Sequence, residues 1–308
     1  MPTGSRGWPM APELDQSIRS CTLWSMTLRI GDLELQVVSG GQLWIDGGNM
    51  FGVIPKALWQ RYARPDDLNR ILLETNCLIV RKGKQTALID TGYGAKCSKR
   101  QRENHVLQEG FPLVENLSKI GIQPEDLDLV VLTHLHFDHA GGCTRQNGST
   151  VIQPTFPRAR YVIQRTEWED ATADLPELAG AYFKDDFVPL EEAGQLELID
   201  GDLELMPGLY TRLMGGHTRG HQVIDLRSQD QQAIYLADLC PLTTHLSTFW
   251  TTAYEQYPLA LRRTKPKILY EATNQEAVAI FAHDPCIRGA FLKSDDKRDF
   301  AIKKLIHL

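Results

Sequence analysis

The sequence predicts an α/β (α+β) fold, from three observations. Short apolar, β-branched runs such as Leu127–Leu132, Gln222–Leu226 and Ala233–Leu236 read as buried strands. Stretches of helical spacing fall between such runs, so strands and helices occur in two rounds along the 308 residues. Each round closes on turns that carry histidine or aspartate, which is where open α/β sheets place their sites. Buried strands need cover on their outer faces, so helices are expected outside them.

Residues 1–25, with Pro2, Gly4, Gly7, Pro9 and Pro12, show no periodicity and are expected to form an irregular N-terminal arm. Met26 is a candidate alternative start. A single domain is expected over 26–308, because its candidate site residues run from position 134 to 283 and a boundary between them would destroy the site. Met26–Ile30 and Leu33–Val38 alternate like a two-stranded edge turning at Gly31-Asp32. The segment Asp46–Trp59 is glycine-rich and carries Met50, Phe51 and Trp59; it suits a loop that covers a pocket or a partner subunit of a homodimer. The competing reading tucks those side chains under the loop.

Cys77–Val80 and Thr86–Asp90 read as a strand pair, and Pro112–Ile120 as a helix ending at Gly121. The cluster Lys96, Lys99, Arg100 and Arg102 reads as a solvated connection, with steering of an acidic substrate as the minority reading. Thr144–Pro157 looks like loop, Ala159–Gln164 strand and Arg165–Ala173 helix. Tyr182–Phe187 is expected to be a mobile or covering segment, with Asp185-Asp186 read as a solvated face rather than an acid/base dyad. Leu196–Ile199, Leu203–Leu205 and Leu209–Met214 read as strands, Glu271–Phe281 as a helix and short strand, and Lys293–Leu308 as an amphipathic helix.

A net charge of −6 argues against a general nucleic-acid binder, since phosphate contacts demand a basic surface. The six cysteines form no Cys-x-x-Cys pair and no disulfide-like spacing, so buried packing in a reducing compartment is expected. Cys143, Cys240 and Cys286 fall close enough to candidate site residues that lining the site is the alternative. No stretch reaches the ~18 apolar residues of a membrane span, and no apolar signal core opens the chain, which makes the cytoplasm the expected location.

The chemistry concentrates in Thr133-His134-Leu135-His136-Phe137-Asp138-His139-Ala140-Gly141-Gly142, at the end of a strand run. Imidazole nitrogen and carboxylate oxygen suit zinc and its first-row neighbours. Four side chains this close in sequence cannot easily converge on one tetrahedron, but two adjacent ions can share them. His134 and His136 would point to one ion, Asp138 and His139 to the other. His217 in a glycine-rich turn, Asp238 after Ala233–Ala237 and His283 after Ala277–Ala282 are the remaining candidate ligands. His105 and His307 have no partner pattern and read as surface residues.

His-x-His-x-Asp-His, the Gly-His-Thr-x-Gly-His segment, a strand-end Asp and a late His together resemble the metallo-β-lactamase superfamily, from about Met26 onward. That resemblance implies an αββα sandwich, two facing mixed sheets with helices outside. It implies that His134, His136 and His217 hold a first divalent ion, that Asp138, His139 and His283 hold a second, and that Asp238 bridges both. Zinc is the expected metal, with iron, manganese or cobalt also suited to such donors. Asp90, in Leu88-Ile89-Asp90-Thr91-Gly92, would steady a ligand histidine from behind, and Thr218 and His221 would steady the His217 turn. A similar Met-Phe-Gly loop occurs in lactonase-like and organophosphate-hydrolase-like branches, which favours Met50, Phe51 and Trp59 as a substrate wall.

The activity implied is hydrolysis of a small ester or lactone by a hydroxide shared between two ions, with Asp238 orienting it and Asp138 passing a proton to the leaving group. Phosphotriester hydrolysis is the runner-up. A mononuclear iron oxygenase of the persulfide dioxygenase kind and a non-catalytic metal-binding protein are the other classes. Lactonases of the superfamily commonly place a Tyr three residues beyond the bridging Asp; here Pro241 stands there, and Tyr254 or His245 is the candidate substitute.

Overall fold

The computed structural model describes residues 26–146, 148, 151–178, 180 and 182–308. The arm expected over residues 1–25 lies outside the described residues, as does Cys21. The described chain opens with β1 (Leu28–Ile30) and β2 (Leu33–Asp46), followed by two short helices, α1 (Gly47–Phe51) and α2 (Lys56–Trp59). Then come β3 (Arg70–Lys82), β4 (Gln85–Ile89), α3 (Lys99–His105), α4 (Pro112–Lys119) and β5 (Leu129–Val131). Helix α5 (Phe137–Ala140) leads into a small hairpin of β6 (Thr144–Gln146) and β7 (Ile152–Pro154). β8 (Arg160–Gln164), α6 (Arg165–Thr172), α7 (Val188–Glu192) and β9 (Leu196–Ile199) complete the first half. Its sheet runs β1-β2-β3-β4-β5-β8-β9, antiparallel up to β4 and parallel from there.

The second half contains β10 (Leu203–Met206), β11 (Leu209–Leu213), β12 (Gln222–Ser228) and β13 (Gln231–Tyr235). Helix α8 (Pro258–Asn274) then crosses to β14 (Val278–Ile280), and β15 (Gly289–Asp295) and β16 (Asp299–Ile306) close the chain. This sheet runs in chain order from β10 to β16, with β13 and β14 parallel.

The two-residue period of the strands builds the layers. Leu78 and Val80 of β3 share one apolar cluster with Ile224 and Leu226 of β12 and Ala233 and Tyr235 of β13, so the sheets face each other across it. The alternate residues point outward. Cys77 and Ile79 pack under Leu113 and Leu117 of α4 and Trp168 of α6, while Val223, Ile234 and Ala279 pack under Leu261, Ile268 and Leu269 of α8. Helix, sheet, sheet, helix is the expected αββα sandwich.

Five local expectations are corrected. Lys293–Leu308 is not helical: β15 and β16 form a hairpin on β14, burying Leu292 and Phe300 and leaving Lys303 and Lys304 on the open edge. Charged edges of this kind discourage pairing with another chain. Part of the loop expected over 144–157 is the β6–β7 hairpin. In the basic cluster, Lys96 is not solvated: its ammonium donates to the carbonyls of Gly141 and Thr144 at 2.7 and 2.8 Å. It also pairs at 2.9 Å with Asp186, which is therefore no solvated face. Helix α8 begins well before the expected Glu271, with Pro266 inside it, a residue that removes one helical hydrogen bond and hides the helix from pattern reading. No helix among the described residues is long and apolar enough to cross a membrane.

Candidate metal centre

The candidate ligands sit where strands end. β5 stops at Val131, and Thr133, His134 and His136 follow it, while α5 carries Asp138 and His139. Asp90 follows β4 with φ +57°, and Ala237 precedes Asp238 with φ +45°. Both are left-handed backbone on residues with a Cβ, a strain that tends to collect at functional sites. Gly142 allows the turn beyond α5 to touch Asp90's strand, since a Cβ there would lie 2.2 Å from the Thr91 carbonyl.

Three sets of donor atoms converge within 4.8 Å: His134, His136 and His217; His134, His139 and Asp238; Asp138, His139 and His283. Asp238 lies between the outer two. Its Oδ2 is 3.2 Å from His217 Nε2, and its Oδ1 is 3.3 Å from His139 Nε2 and 3.1 Å from His283 Nε2. His283 Nε2 is 3.7 Å from Asp138 Oδ2. The sequence-derived ligands are thus all in one place.

Ring orientation is set from behind. His139 donates its Nδ1–H to Asp90 Oδ2 at 2.8 Å, His217 donates to Glu255 Oε2 at 2.9 Å, and His283 donates to the Glu74 carbonyl at 2.9 Å. Each bond places the proton on Nδ1 and turns the Nε2 lone pair inward. The inward atoms then meet only one another. His134 Nε2 is buried with no hydrogen bond among the described residues, and Asp238 Oδ1 meets the ring nitrogens of His139 and His283. His139 Nε2 faces His283 Nε2 at 3.0 Å, and His217 Nε2 faces His136 Nδ1 at 3.0 Å. Ring nitrogens crowded on one another and a buried imidazole nitrogen without a partner are costly by themselves and fit cations between them.

Electrostatics divides these donors into two neutral imidazoles, His134 and His136, and three, His139, His217 and His283, that the neighbouring Asp238 carboxylate raises against their burial. Burial and the neighbouring imidazoles push His134 well down and His136 to about 3, so both stay neutral. Burial opposes charge on His217, but Asp238 and Glu255 outweigh it and raise it to about 9. Asp238 is held well below the usual carboxylate range despite burial, by His283, His217 and His139.

The residues expected to steady the site have identifiable partners. Asp90 also accepts from Thr133 N and Oγ1 at 2.8 and 2.9 Å and from the Tyr235 hydroxyl at 3.2 Å. His221 is kept neutral by burial; its Nε2 accepts the Asp238 backbone N–H at 3.1 Å, and its carbonyl accepts from Met214 N and Gly215 N at 2.9 and 3.0 Å, so it steadies both Asp238 and the His217 turn. Thr218 donates to Glu167 at 2.6 Å, and Glu167 accepts from Leu135 N at 3.0 Å. Glu167 therefore ties the two histidine turns together. Glu167 and Glu255 belong to no motif in the sequence, and the partner of each lies far along the chain.

A cavity of about 410 Å³ opens on the donors, with His136, Asp138, His217, Asp238 and His283 in its lining. Met50 and Tyr254 line it, as expected of a substrate wall. Phe51, Trp59 and His245 do not. Phe51 stacks between Trp59 at 5.1 Å and His245 at 5.3 Å, and His245 bonds the Met50 carbonyl at 2.8 Å, so these three rings support the wall from behind. Ring stacking and burial absorb them, which is the tucked-under reading. His105 is a correction in the other direction: it lines the cavity beside Phe137, 5.4 Å ring to ring, rather than standing on open surface. Cys77, Cys143 and Cys240 are buried in the packing, and none of the described cysteines lines this cavity.

The sequence pattern described as the metallo-beta-lactamase superfamily matches residues 70–242. An N-acyl homoserine lactonase of a Bacillus species is 29% identical over 170 residues, 52% of this chain; the chain spans only 61% of that relative's length. A solved structure of a probable metal-dependent hydrolase from Staphylococcus aureus superposes with TM-score 0.81 at 30% identity, covering 91% of this chain and all of that one. AidC, a dizinc quorum-quenching lactonase solved with a product, superposes with TM-score 0.75 at 20% identity, over 92% of this chain and 98% of its own.

Proposed function

The chain belongs to the metallo-beta-lactamase superfamily, and on that premise we propose that it is a dinuclear metal-dependent hydrolase that opens a small lactone or ester. The observation that carries the reading is the Asp238 carboxylate, with one oxygen beside His217 and the other beside His139 and His283. His134, His136 and His217 would hold one divalent ion, Asp138, His139 and His283 the other, and Asp238 both. Zinc is favoured by the donor types, and the dizinc lactonase of the same fold supports it. Bound there, such ions supply an activated water and Lewis acidity toward a carbonyl oxygen.

The remaining work falls to the chain. Asp238, fixed by the His221 bond to its backbone N–H, orients the attacking water. Asp138, on the cavity wall, takes the water's proton and returns it to the leaving alkoxide oxygen. Tyr254 supplies the phenol that Pro241 cannot: its ring lines the cavity, its hydroxyl is hydrogen-bonded to Asn49, and burial together with Asp138 keeps it protonated as a donor to the substrate carbonyl. Ile45, Met50, Phe137 and Leu178 offer apolar surface for an acyl group. The lactonase relatives favour a lactone over other acyl electrophiles. An intact Asp138, His139 and His283 set favours two ions over the single iron of an oxygenase.

The test is turnover by metal-loaded protein on four probes: an acyl lactone, an aryl ester, a thioester and a phosphotriester. Preferential opening of the lactone is expected. Turnover of the phosphotriester alone, or of none, would overturn the substrate class.

A further inference from the structure

A second cavity, of about 490 Å³, shares no lining residue with the metal cavity. Its floor is apolar, built from Ile71, Leu242, Leu246, Ile287, Phe300 and Ile302, where the start of β3, the segments after Asp238 and His283, and β16 meet. A volume of this order is typical of small-molecule sites. Three arginines stand at it, Arg61, Arg64 and Arg298.

Arg298 is built in. Its guanidinium lies 4.6 Å from the Tyr62 ring and 5.7 Å from that of Trp250, and it donates to the Thr244 carbonyl at 2.9 Å. Arg61 and Arg64 are exposed, and their side chains have no hydrogen bond or ion pair among the described residues. The sole carboxylate in the lining, Asp284, is already consumed. Its Oδ1 accepts from Cys286 N and Ile287 N at 3.0 and 2.8 Å, and its Oδ2 accepts from Thr243 N and Oγ1 at 3.1 and 2.7 Å. The mouth of an apolar trough thus carries three guanidiniums against one carboxylate whose oxygens are already taken, a net positive charge.

We propose that this cavity is a second binding site, for an amphiphilic carboxylate, with its acyl chain along the trough and its carboxylate held by Arg61 and Arg64. The planar guanidinium fork matches a carboxylate, and Arg298 adds positive potential from a fixed position. Burial of the chain against Ile71, Leu246 and Ile302 supplies the non-polar part of the affinity. The site stands independently of the hydrolase reading, since none of its residues is a candidate ligand.

Decanoate is the probe, titrated into the metal-loaded protein by calorimetry, with 1-decanol as the uncharged control. One saturable site is expected, with decanol binding more weakly. The Arg61→Ala/Arg64→Ala double variant should weaken decanoate about tenfold or more, since charge-assisted hydrogen bonds are lost. Ile302→Trp, which fills the trough, should weaken both ligands. The surface arginine pair tests the proposal even if the tryptophan variant fails to fold. Absence of saturable binding, equal affinity for decanol, or decanoate binding lost only in His136→Ala would overturn it; the last result would place the carboxylate in the metal cavity instead.

Discussion

Glu255 holds His217 with one carboxylate oxygen and its own loop with the other. Oε2 accepts the His217 Nδ1–H at 2.9 Å, while Oε1 accepts the N–H and hydroxyl of Thr252, both at 2.9 Å. The loop is also laid along the histidine turn, with Gln256 N on the His217 carbonyl at 2.9 Å and Tyr257 N on that of Gly216 at 2.8 Å. One residue therefore sets both the direction of a candidate ligand and the place of Tyr254 in the cavity.

Removing that contact should weaken metal binding before it harms the fold. Glu255→Gln is expected to lower metal affinity about 10- to 100-fold, the range for partners behind a ligand histidine. Glu255→Ala should do worse, since the Thr252 donors are also released. Competition with a chromophoric chelator reads the affinity, and circular dichroism checks the fold. Unchanged affinity in both variants would make Glu255 a mere loop staple.

The phenol of Tyr254 should matter to the rate and not to the metal. Tyr254→Phe is expected to lower kcat on a lactone by about 10²-fold, as loss of one positioned donor to a developing oxyanion does. Metal content and KM should change little. A rise in KM with kcat intact would assign Tyr254 to binding alone.

Lys96→Ala leaves Asp186 buried without its cation and strips the Gly141 and Thr144 carbonyls of their donor. Breaking a buried pair from one side costs about 3–5 kcal/mol. Urea unfolding should show a loss of that size. Adding Asp186→Asn in the same chain should recover part of it, because the orphaned charge is gone.

Lys265 makes a pH prediction away from the metal. Its ammonium donates to the carbonyls of His245, Ser247 and Trp250 at 2.9, 2.9 and 2.5 Å, yet burial pulls it down to about 8. An unfolded lysine titrates near about 10.4. Between those values the unfolded chain binds more protons, so this group makes stability rise with pH, by about 3 kcal/mol across the window. Unfolding measured at pH 8 and pH 10 should show that slope in the wild type and not in Lys265→Met. Equal slopes would contradict it.

Sequence and structure agree best where one segment carries the whole signal. Leu129–Val131 is buried on both faces, so its run is uninterrupted, and the ligands after it are adjacent in sequence. The terminal hairpin departs from the expected helix because Ile302, Leu305 and Ile306 stand at helical spacing, and only the pairing of β15 with β14 and β16 selects the strand. The supporting acids were illegible for a different reason. Glu255 meets His217 across 38 positions and Glu167 meets Thr218 across 51, so no local pattern marks either one. Lys96 and Asp186 looked solvated because charge predicts exposure unless a partner is known, and the fold supplies that partner.

Metal content per chain tests the central claim most directly. Elemental analysis of the purified protein should find two divalent ions per chain, and Asp238→Ala should lose at least one of them, since the carboxylate stands between both donor sets. A single ion in the wild type, or two retained in Asp238→Ala, would contradict the dinuclear account.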